Sequence, residues 1–222
     1  MCGRYTLTGN PADIAARFDA HWPPDRLSGY RGSFNIAPTQ SVIVINNTGQ
    51  REVVQMRWGL IPKWATDEWI GNRMINARSE TLAEKPAFRG ALKKRRCLIP
   101  ADGFYEWKKL DDRKQPVRIV LKSREPFAFA GLWEVWRSLG GQEILSCTIV
   151  TTTANELLKE VHERMPVILA REAEDIWLNP ETPLPKLLEL LKPYPSEDME
   201  FYPVSRDVNS PGNDSPDLIA PI

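Results

Sequence analysis

The chain has 222 residues, 42% of them hydrophobic and 26% charged, and its 29 Lys plus Arg balance 29 Asp plus Glu to a formal net charge of zero. Length and composition point to a soluble globular chain long enough for one sizeable domain or two small ones, and exclude a fibrous or low-complexity chain. No basic excess marks a nucleic-acid binder, so such a site would have to be a local patch, and no apolar run approaches the about 20 residues that span a bilayer.

Arg4 to Leu7 alternates like a strand. Asn10-Pro11 predicts a helix start, with Asn10 as N-cap and Pro11 in the first helical position, running to about Ala20. Val42 to Ile45 and Glu52 to Trp58 read as strands joined by the turn Asn47-Thr48-Gly49. Gly59 to Trp64 is a loop. Thr81 and Glu84 suggest a capping box for a short helix over Lys85 to Leu92, broken by Pro86. Arg96 to Ile99 and Phe104 to Trp107 are strands on either side of Pro100-Ala101-Asp102-Gly103. A hairpin at Asp111-Asp112 leads to Val117–Leu121. Phe127 to Trp133 and Ile144 to Thr151 follow, parted by Gly140-Gly141. Thr153 would cap a helix from Ala154 to about Val161. Val167 to Leu169 is a strand, Glu172 to Leu178 and Leu184 to Leu191 are helices, and Tyr202 to Ser205 is a last strand before a Pro/Asn/Ser-rich tail. Strands in runs with helices at the margins favour an α+β fold on an antiparallel, barrel-like sheet with peripheral helices. With no repeat and no linker, residues 1–222 read as a single domain.

The cysteines are Cys2, Cys97 and Cys147. Odd in number, far apart and without a CxxC pair, they argue against a disulfide framework and a cysteine zinc site, and for a cytosolic location. With only His21 and His162 and no glycine-rich phosphate loop, the expected chemistry uses neither cofactor nor metal. Cys2 is the most informative residue. If Met1 is removed, Cys2 carries a primary amine and a thiol together, a 1,2-aminothiol able to close a thiazolidine on an aldehyde or to act as an amino-terminal nucleophile. His162, where a helix should yield to a strand, is a candidate proton shuttle, although a surface histidine at a helix end is the plainer reading. Glu106 lies among aromatic residues in Asp102-Gly103-Phe104-Tyr105-Glu106-Trp107; such neighbours desolvate a carboxylate and suit a general acid or base, although a solvent-facing strand glutamate beside a buried Trp is an equally good reading. Asn76 could donate to a developing oxyanion or a sugar hydroxyl, and Arg78 could grip a phosphate. The run Lys93-Lys94-Arg95-Arg96 reads more simply as a solvated face than as a phosphate track. Among Trp58, Trp64, Trp69, Trp107, Trp133 and Trp136 some could stack on bases, most being core or rim residues.

Taken together, Met1-Cys2-Gly3-Arg4, Asn35-Ile36-Ala37-Pro38, Arg57-Trp58-Gly59-Leu60-Ile61-Pro62, Ile75-Asn76-Ala77-Arg78-Ser79-Glu80, the segment from Arg96 to Trp107, His162-Glu163-Arg164-Met165-Pro166, Pro203-Val204-Ser205 and Val208-Asn209 resemble the SRAP (SOS response-associated peptidase) family of abasic-site processing proteins. The resemblance implies an α+β domain with a barrel-like core and a positive cleft for single-stranded DNA carrying abasic sites, including junctions with duplex. It implies that Cys2, freed by loss of Met1, crosslinks to the ring-opened abasic aldehyde and shields the lesion, with Asn76, Glu106 and His162 completing the site. It places Arg4, Arg78 and Arg164 against DNA phosphates, Asn35 in the DNA-binding set, and Pro38 and Trp107 where a duplex end is blocked. A monomer in the cytoplasm, with associated lyase activity and crosslink reversal, goes with this reading. Two alternatives stay open: an amino-terminal-nucleophile cysteine peptidase acting on its own leader, and a noncovalent nucleic-acid-binding module.

Overall fold

The computed structural model describes residues 2–222, apart from the side chains of Arg26 and Asn47. The expected loss of Met1 concerns a residue outside that range. In chain order the strands are β1 (Tyr5–Leu7), β2 (Ser33–Ile36), β3 (Ser41–Asn47), β4 (Arg51–Trp58), β5 (Asn76–Arg78), β6 (Arg96–Ala101), β7 (Gly103–Lys109), β8 (Lys114–Leu121), β9 (Phe127–Arg137), β10 (Glu143–Thr153), β11 (Arg164–Pro166), β12 (Ile168–Leu169) and β13 (Met199–Pro203). The α-helices are α1 (Pro11–Phe18), α2 (Pro24–Leu27), α3 (Arg89–Lys94), α4 (Arg171–Leu178) and α5 (Leu184–Glu189).

Five strands close on themselves. β4, β3, β6, β9 and β10 are neighbours in that order, and β10 returns to β4 to complete the ring. The closing pair is parallel, Ser146 opposite Arg57 and Cys147 opposite Trp58, while the β9–β10 hairpin is antiparallel from Glu143/Arg137 to Ile149/Gly131. Closure removes the free edges that an open sheet would expose. β6 is buried along its whole length, which is why it reads in sequence as an unbroken run, Cys97-Leu98-Ile99-Pro100-Ala101, with no alternation. Gly131 lets β6 and β9 approach: a Cβ there would lie 2.7 Å from the Cys97 sulfur and 2.9 Å from Ile99. β5 and β11 extend the barrel along β10, β5 in parallel and β11 antiparallel.

A second, five-stranded antiparallel sheet runs in the order β13, β8, β7, β1, β2. The chain crosses from barrel to sheet at Asp102, the one residue between β6 and β7. The two sheets share a core: Tyr5 of β1 packs edge-to-face on Trp58 of β4 at 5.2 Å and on Phe129 of β9 at 5.8 Å. Each such contact contributes about 0.5–1.5 kcal/mol beyond area burial, so the amino-terminal strand is held by aromatic packing as well as by its ladders.

The expected α+β class with a barrel-like core is the observed one, and Asn10 caps α1 as expected, its side chain accepting from Asp13 N–H at 3.0 Å. Asp19, at φ 47° in the left-handed region, stops α1 at Phe18, short of Ala20. Two expected helices differ. No capping box forms at Thr81 and Glu84; Ser79–Thr81 is a 3-10 turn and α3 begins only at Arg89, because Pro86 disfavours helical geometry in the residue before it. Thr153 is the last residue of β10, paired with Arg164, and residues 154–161 hold only the 3-10 turn Leu158–Glu160, where the Asn155 side chain accepts from Leu158 N–H at 2.9 Å. β2 and α2 were not expected, and the last strand is Met199–Pro203 instead of Tyr202 to Ser205.

Candidate active site

Cys2 lies just before β1, and β1 is gripped on both edges, by β2 (Tyr5 opposite Ile36) and by β7 (Tyr5 opposite Phe104, Thr6 opposite Gly103). A polar clamp fixes its far end. The Asp102 carboxylate accepts from the Thr6 hydroxyl at 2.5 Å and from the Thr8 N–H and hydroxyl at 2.6 Å each. Arg118 of β8 donates to the same carboxylate at 3.1 Å and to Thr6 Oγ1 at 3.0 Å. Charge-assisted hydrogen bonds of this kind are the strong ones. Gly103 is needed here, since a Cβ would fall 2.7 Å from the Arg118 guanidinium.

So held, Cys2 is fully buried. Its thiol points at the Arg4 carbonyl, 3.9 Å away, and its own carbonyl accepts from Asn76 Nδ2 at 2.9 Å. Burial pushes the thiol pKa up, and the neighbouring Glu106 carboxylate pushes it further. The sulfur is therefore kept as a neutral thiol at physiological pH. Asn76 opens β5 opposite Ile149 of β10; its Oδ1 is buried and has no hydrogen-bond partner among the described residues, leaving an acceptor beside Cys2. Glu106, on β7, is buried as well.

His162 is half-buried at the entry to β11, which pairs with the same end of β10 that pairs with β5. Its Nδ1 accepts from Arg164 N–H at 2.9 Å, so a neutral ring carries its proton on Nε2. An ion pair between Lys108 and Glu160 at 3.1 Å joins the strand of Glu106 to the turn leading to His162. The structure thus bonds Asn76 to Cys2, brings the Glu106 carboxylate near enough to act on the thiol, and sets His162 on a neighbouring element. Among the described residues, no cluster of three or more His, Cys, Asp or Glu could hold a metal ion.

The residues expected to meet DNA fall into four groups. Arg78 is exposed and makes no ion pair among the described residues. Arg164 is buried and turned inward: its guanidinium grips both Glu80 oxygens at 2.5 and 3.0 Å and donates to the Thr151 carbonyl at 2.8 Å. That bond holds the Glu80 carboxyl below its ordinary pKa. Arg4, Asn35 and Trp107 all bond the chain after β13. Arg4 donates to the carbonyls of Val208 at 2.7 Å and Asn209 at 3.2 Å, and Trp107 Nε1 donates to Asn209 Oδ1 at 2.7 Å. Pro38 is half-buried in the turn before Thr39, whose φ of 72° is left-handed.

Of the tryptophans weighed as stacking platforms, Trp58 is fully buried and Trp136 nearly so, whereas Trp64 and Trp69 are 59% and 67% exposed. Both ride the loop between β4 and β5, which is tied down by Ile61 N–H to Ser146 Oγ at 2.9 Å and Trp136 Nε1 to the Ala65 carbonyl at 2.8 Å. In the basic run, Arg96 is buried and donates to four backbone carbonyls, and Arg95 pairs with Glu134; only Lys93 and Lys94 face solvent. Sequence reasoning did not single out Arg118 or Glu80. Their roles depend on partners 16 and 84 residues away, for which no local pattern exists.

Comparison with known proteins adds an independent line. A family model described as SOS response associated peptidase (SRAP) matches residues 1–211. The abasic site processing protein YoqW of Bacillus subtilis is 52% identical over 224 residues, covering 99% of each chain. The abasic site processing protein HMCES of Gallus gallus is 32% identical, covering 89% of this chain and 68% of that one. A crystal structure of a protein from Bacteroides thetaiotaomicron superposes with a TM-score of 0.92 at 29% identity over the whole of both chains.

Proposed function

This chain belongs to the SOS response-associated peptidase family, and from that membership together with the surroundings of Cys2 we propose that it captures abasic sites in single-stranded DNA as a covalent thiazolidine. The observation that carries the reading is the placement of Cys2, its carbonyl bonded to Asn76 at 2.9 Å and its thiol within the influence of the Glu106 carboxylate. Relatives named as abasic site processing proteins support the substrate.

The chemistry follows from what these groups can do. Loss of Met1 frees the α-amine of Cys2, whose reference pKa of about 7.7–8.0 leaves part of it neutral at physiological pH. The amine adds to the aldehyde of the ring-opened abasic sugar, and the resulting carbinolamine loses water to give an imine. The thiol then adds to the imine carbon, its proton passing to the nitrogen, and the five-membered ring closes. One water leaves overall, and neither oxidant nor reductant is needed. The raised thiol pKa favours this order, amine first and sulfur second, since the sulfur waits as a neutral thiol. Glu106 and His162 serve as proton shuttles for water loss and ring closure. Asn76 Oδ1 accepts from the amine or the sugar hydroxyl. Proton return from Glu106 reverses the link, and the imine stage, by acidifying the adjacent carbon, allows a minor strand-cleaving lyase reaction. We further propose that the protein works as a monomer in the cytoplasm, on DNA strands and on junctions with duplex. Affinity comes from phosphate contacts and falls with salt.

The test is an oligonucleotide with one abasic site, incubated with the protein and read by denaturing gel and intact mass. An adduct weighing protein plus DNA less one water, absent for Cys2→Ala, is expected. Absence of any adduct with the wild-type protein while the aldehyde persists refutes the reading. Cys2-dependent cleavage of a peptide with no DNA adduct would favour the peptidase alternative instead.

A further inference from the structure

Arg4, Asn35 and Trp107 stand on or beside three adjacent strands, and all three reach the same short stretch of tail after β13. Asn35 is at the centre. It is 1% exposed, and its amide is fully engaged: Oδ1 accepts from Arg4 Nη1 at 2.7 Å, and Nδ2 donates to the carbonyls of Asn213 at 2.8 Å and Ser210 at 3.0 Å, with Val208 at 3.3 Å. Arg4 Nη1 also donates to Val208. The main chain of Arg4 carries the arrangement to the nucleophile. Its carbonyl accepts from Tyr105 N–H at 2.9 Å and is the group that the Cys2 thiol faces. Both neighbours of Glu106 are fixed to the same framework, Tyr105 through its hydroxyl to the Phe34 carbonyl at 2.8 Å and Trp107 through Asn209.

We propose that Asn35, acting through Arg4 and the tail loop Val208–Asn213, is a positioning residue that sets Cys2 against Glu106. The inference rests on the reading of Cys2 as the nucleophile. It departs from the assignment of Asn35 to the DNA surface, because a buried amide with every polar atom engaged offers nothing to a ligand. The demand is specific to asparagine. One planar group must accept from a guanidinium on one side and donate twice to carbonyls on the other; aspartate supplies only the acceptor and alanine neither. Arg4 is partly desolvated at this position, and its pKa is lowered accordingly, so it depends on these carbonyl acceptors in place of water. A side chain two residues from the reacting sulfur, anchored through the tail, fixes the approach geometry on which an intramolecular ring closure depends.

The experiment compares wild type, Asn35→Ala and Asn35→Asp. Single-turnover crosslinking is measured at saturating abasic oligonucleotide, DNA affinity in the Cys2→Ala background, and Cys2 alkylation by a small maleimide with peptide mass mapping. The expected result for Asn35→Ala is crosslinking slowed about tenfold or more, since small misplacements carry such costs, with unchanged affinity and faster alkylation of the now loosened Cys2. Asn35→Asp keeps the bond to Arg4 and is expected to retain more of the rate than Asn35→Ala. An unchanged rate, or a defect that disappears at saturating DNA, overturns the proposal. If the Asn35 variants do not fold, Asn209→Ala alters only an exposed side chain of the same loop and is expected to move both rates in the same directions; no change overturns it. If the wild-type protein forms no adduct, the functional reading fails, and alkylation alone judges the brace: equal Cys2 alkylation in wild type and variant overturns it.

Discussion

Arg164→Met separates a structural arginine from a DNA contact. Arg164 is buried, with its guanidinium on Glu80 at 2.5 and 3.0 Å and on the Thr151 carbonyl at 2.8 Å. Methionine keeps most of the packing but leaves that buried carbonyl without its donor, a cost of about 1–3 kcal/mol. The Glu80 side chain is 46% exposed and rehydrates, so its lost pair adds about 1 kcal/mol or less. The sum is about 1–4 kcal/mol, and at roughly 2–4 °C per kcal/mol for a domain of this size the melting temperature falls by roughly 2–16 °C. Calorimetric melts at neutral pH measure it, and a pH series checks the cause. The Glu80 carboxyl is held below its ordinary pKa chiefly by the Arg164 hydrogen bond. The stabilisation is therefore present above the unfolded carboxylate value of about 4.3 and is lost as pH falls through the folded one. The gap between wild type and variant should narrow in acid by the Glu80 share, while the part due to the unpaired carbonyl persists. An unchanged melting temperature with weakened DNA binding would refute the structural assignment and return Arg164 to the DNA surface.

Arg78→Ala should behave oppositely, because Arg78 is exposed and makes no ion pair among the described residues: stability is unchanged, affinity for single strands drops and the logarithmic salt slope shrinks by about 0.7 for one lost phosphate contact; a melting defect with an unaltered slope would count against it. Gly59→Ala should be severe, because Gly59 sits at φ 132° and a Cβ would lie 2.6 Å from the Gly71 carbonyl oxygen; strain of about 1–3 kcal/mol is expected, visible as a lower denaturation midpoint, and wild-type stability would show that the loop relaxes freely. Alkali should unfold the protein early. Burial raises the pKa of the Cys2, Cys97 and Cys147 thiols and of the Tyr5 phenol. Their stabilising contribution is thus complete below the unfolded thiol value of about 8.5 and is lost as pH climbs above it. Melting temperatures that stay level through pH 10 would contradict this.

What could be read in advance followed from short-range physics. Asn10-Pro11 carries its helix start in two residues, and the barrel strands announce themselves as apolar runs. β2 escaped although Ser33-Phe34-Asn35-Ile36 alternates polar and apolar, because a run of four residues is too short to stand out; its pairing with β1 makes it a strand. Residues 154–161 have good helix formers, yet the ladder of Thr152 and Thr153 with Met165 and Arg164 claims the backbone on both sides. The chemistry at Cys2, Asn76, Glu106 and His162 was legible as residue types, while their grouping came from resemblance to a family. The inward turn of Arg164 toward Glu80 and the engagement of Asn35 by the tail span 84 and up to 178 residues, and no local pattern encodes such pairings.

The anchoring of Arg4 by Val208 joins groups 204 residues apart. At about 5–20 residues per second, synthesis separates their appearance by roughly 10–40 s. Until the tail emerges, the amino-terminal segment lacks its carbonyl acceptors there, and for the first half of that interval it lacks the β7 edge as well. During that interval it remains open to solvent and to processing enzymes. Burial of Cys2 is thus one of the last events in the life of the nascent chain. On the proposed function, trimming of the first residue has its natural window before the lock closes, and a protein trimmed too late would carry its aminothiol sealed and unformed.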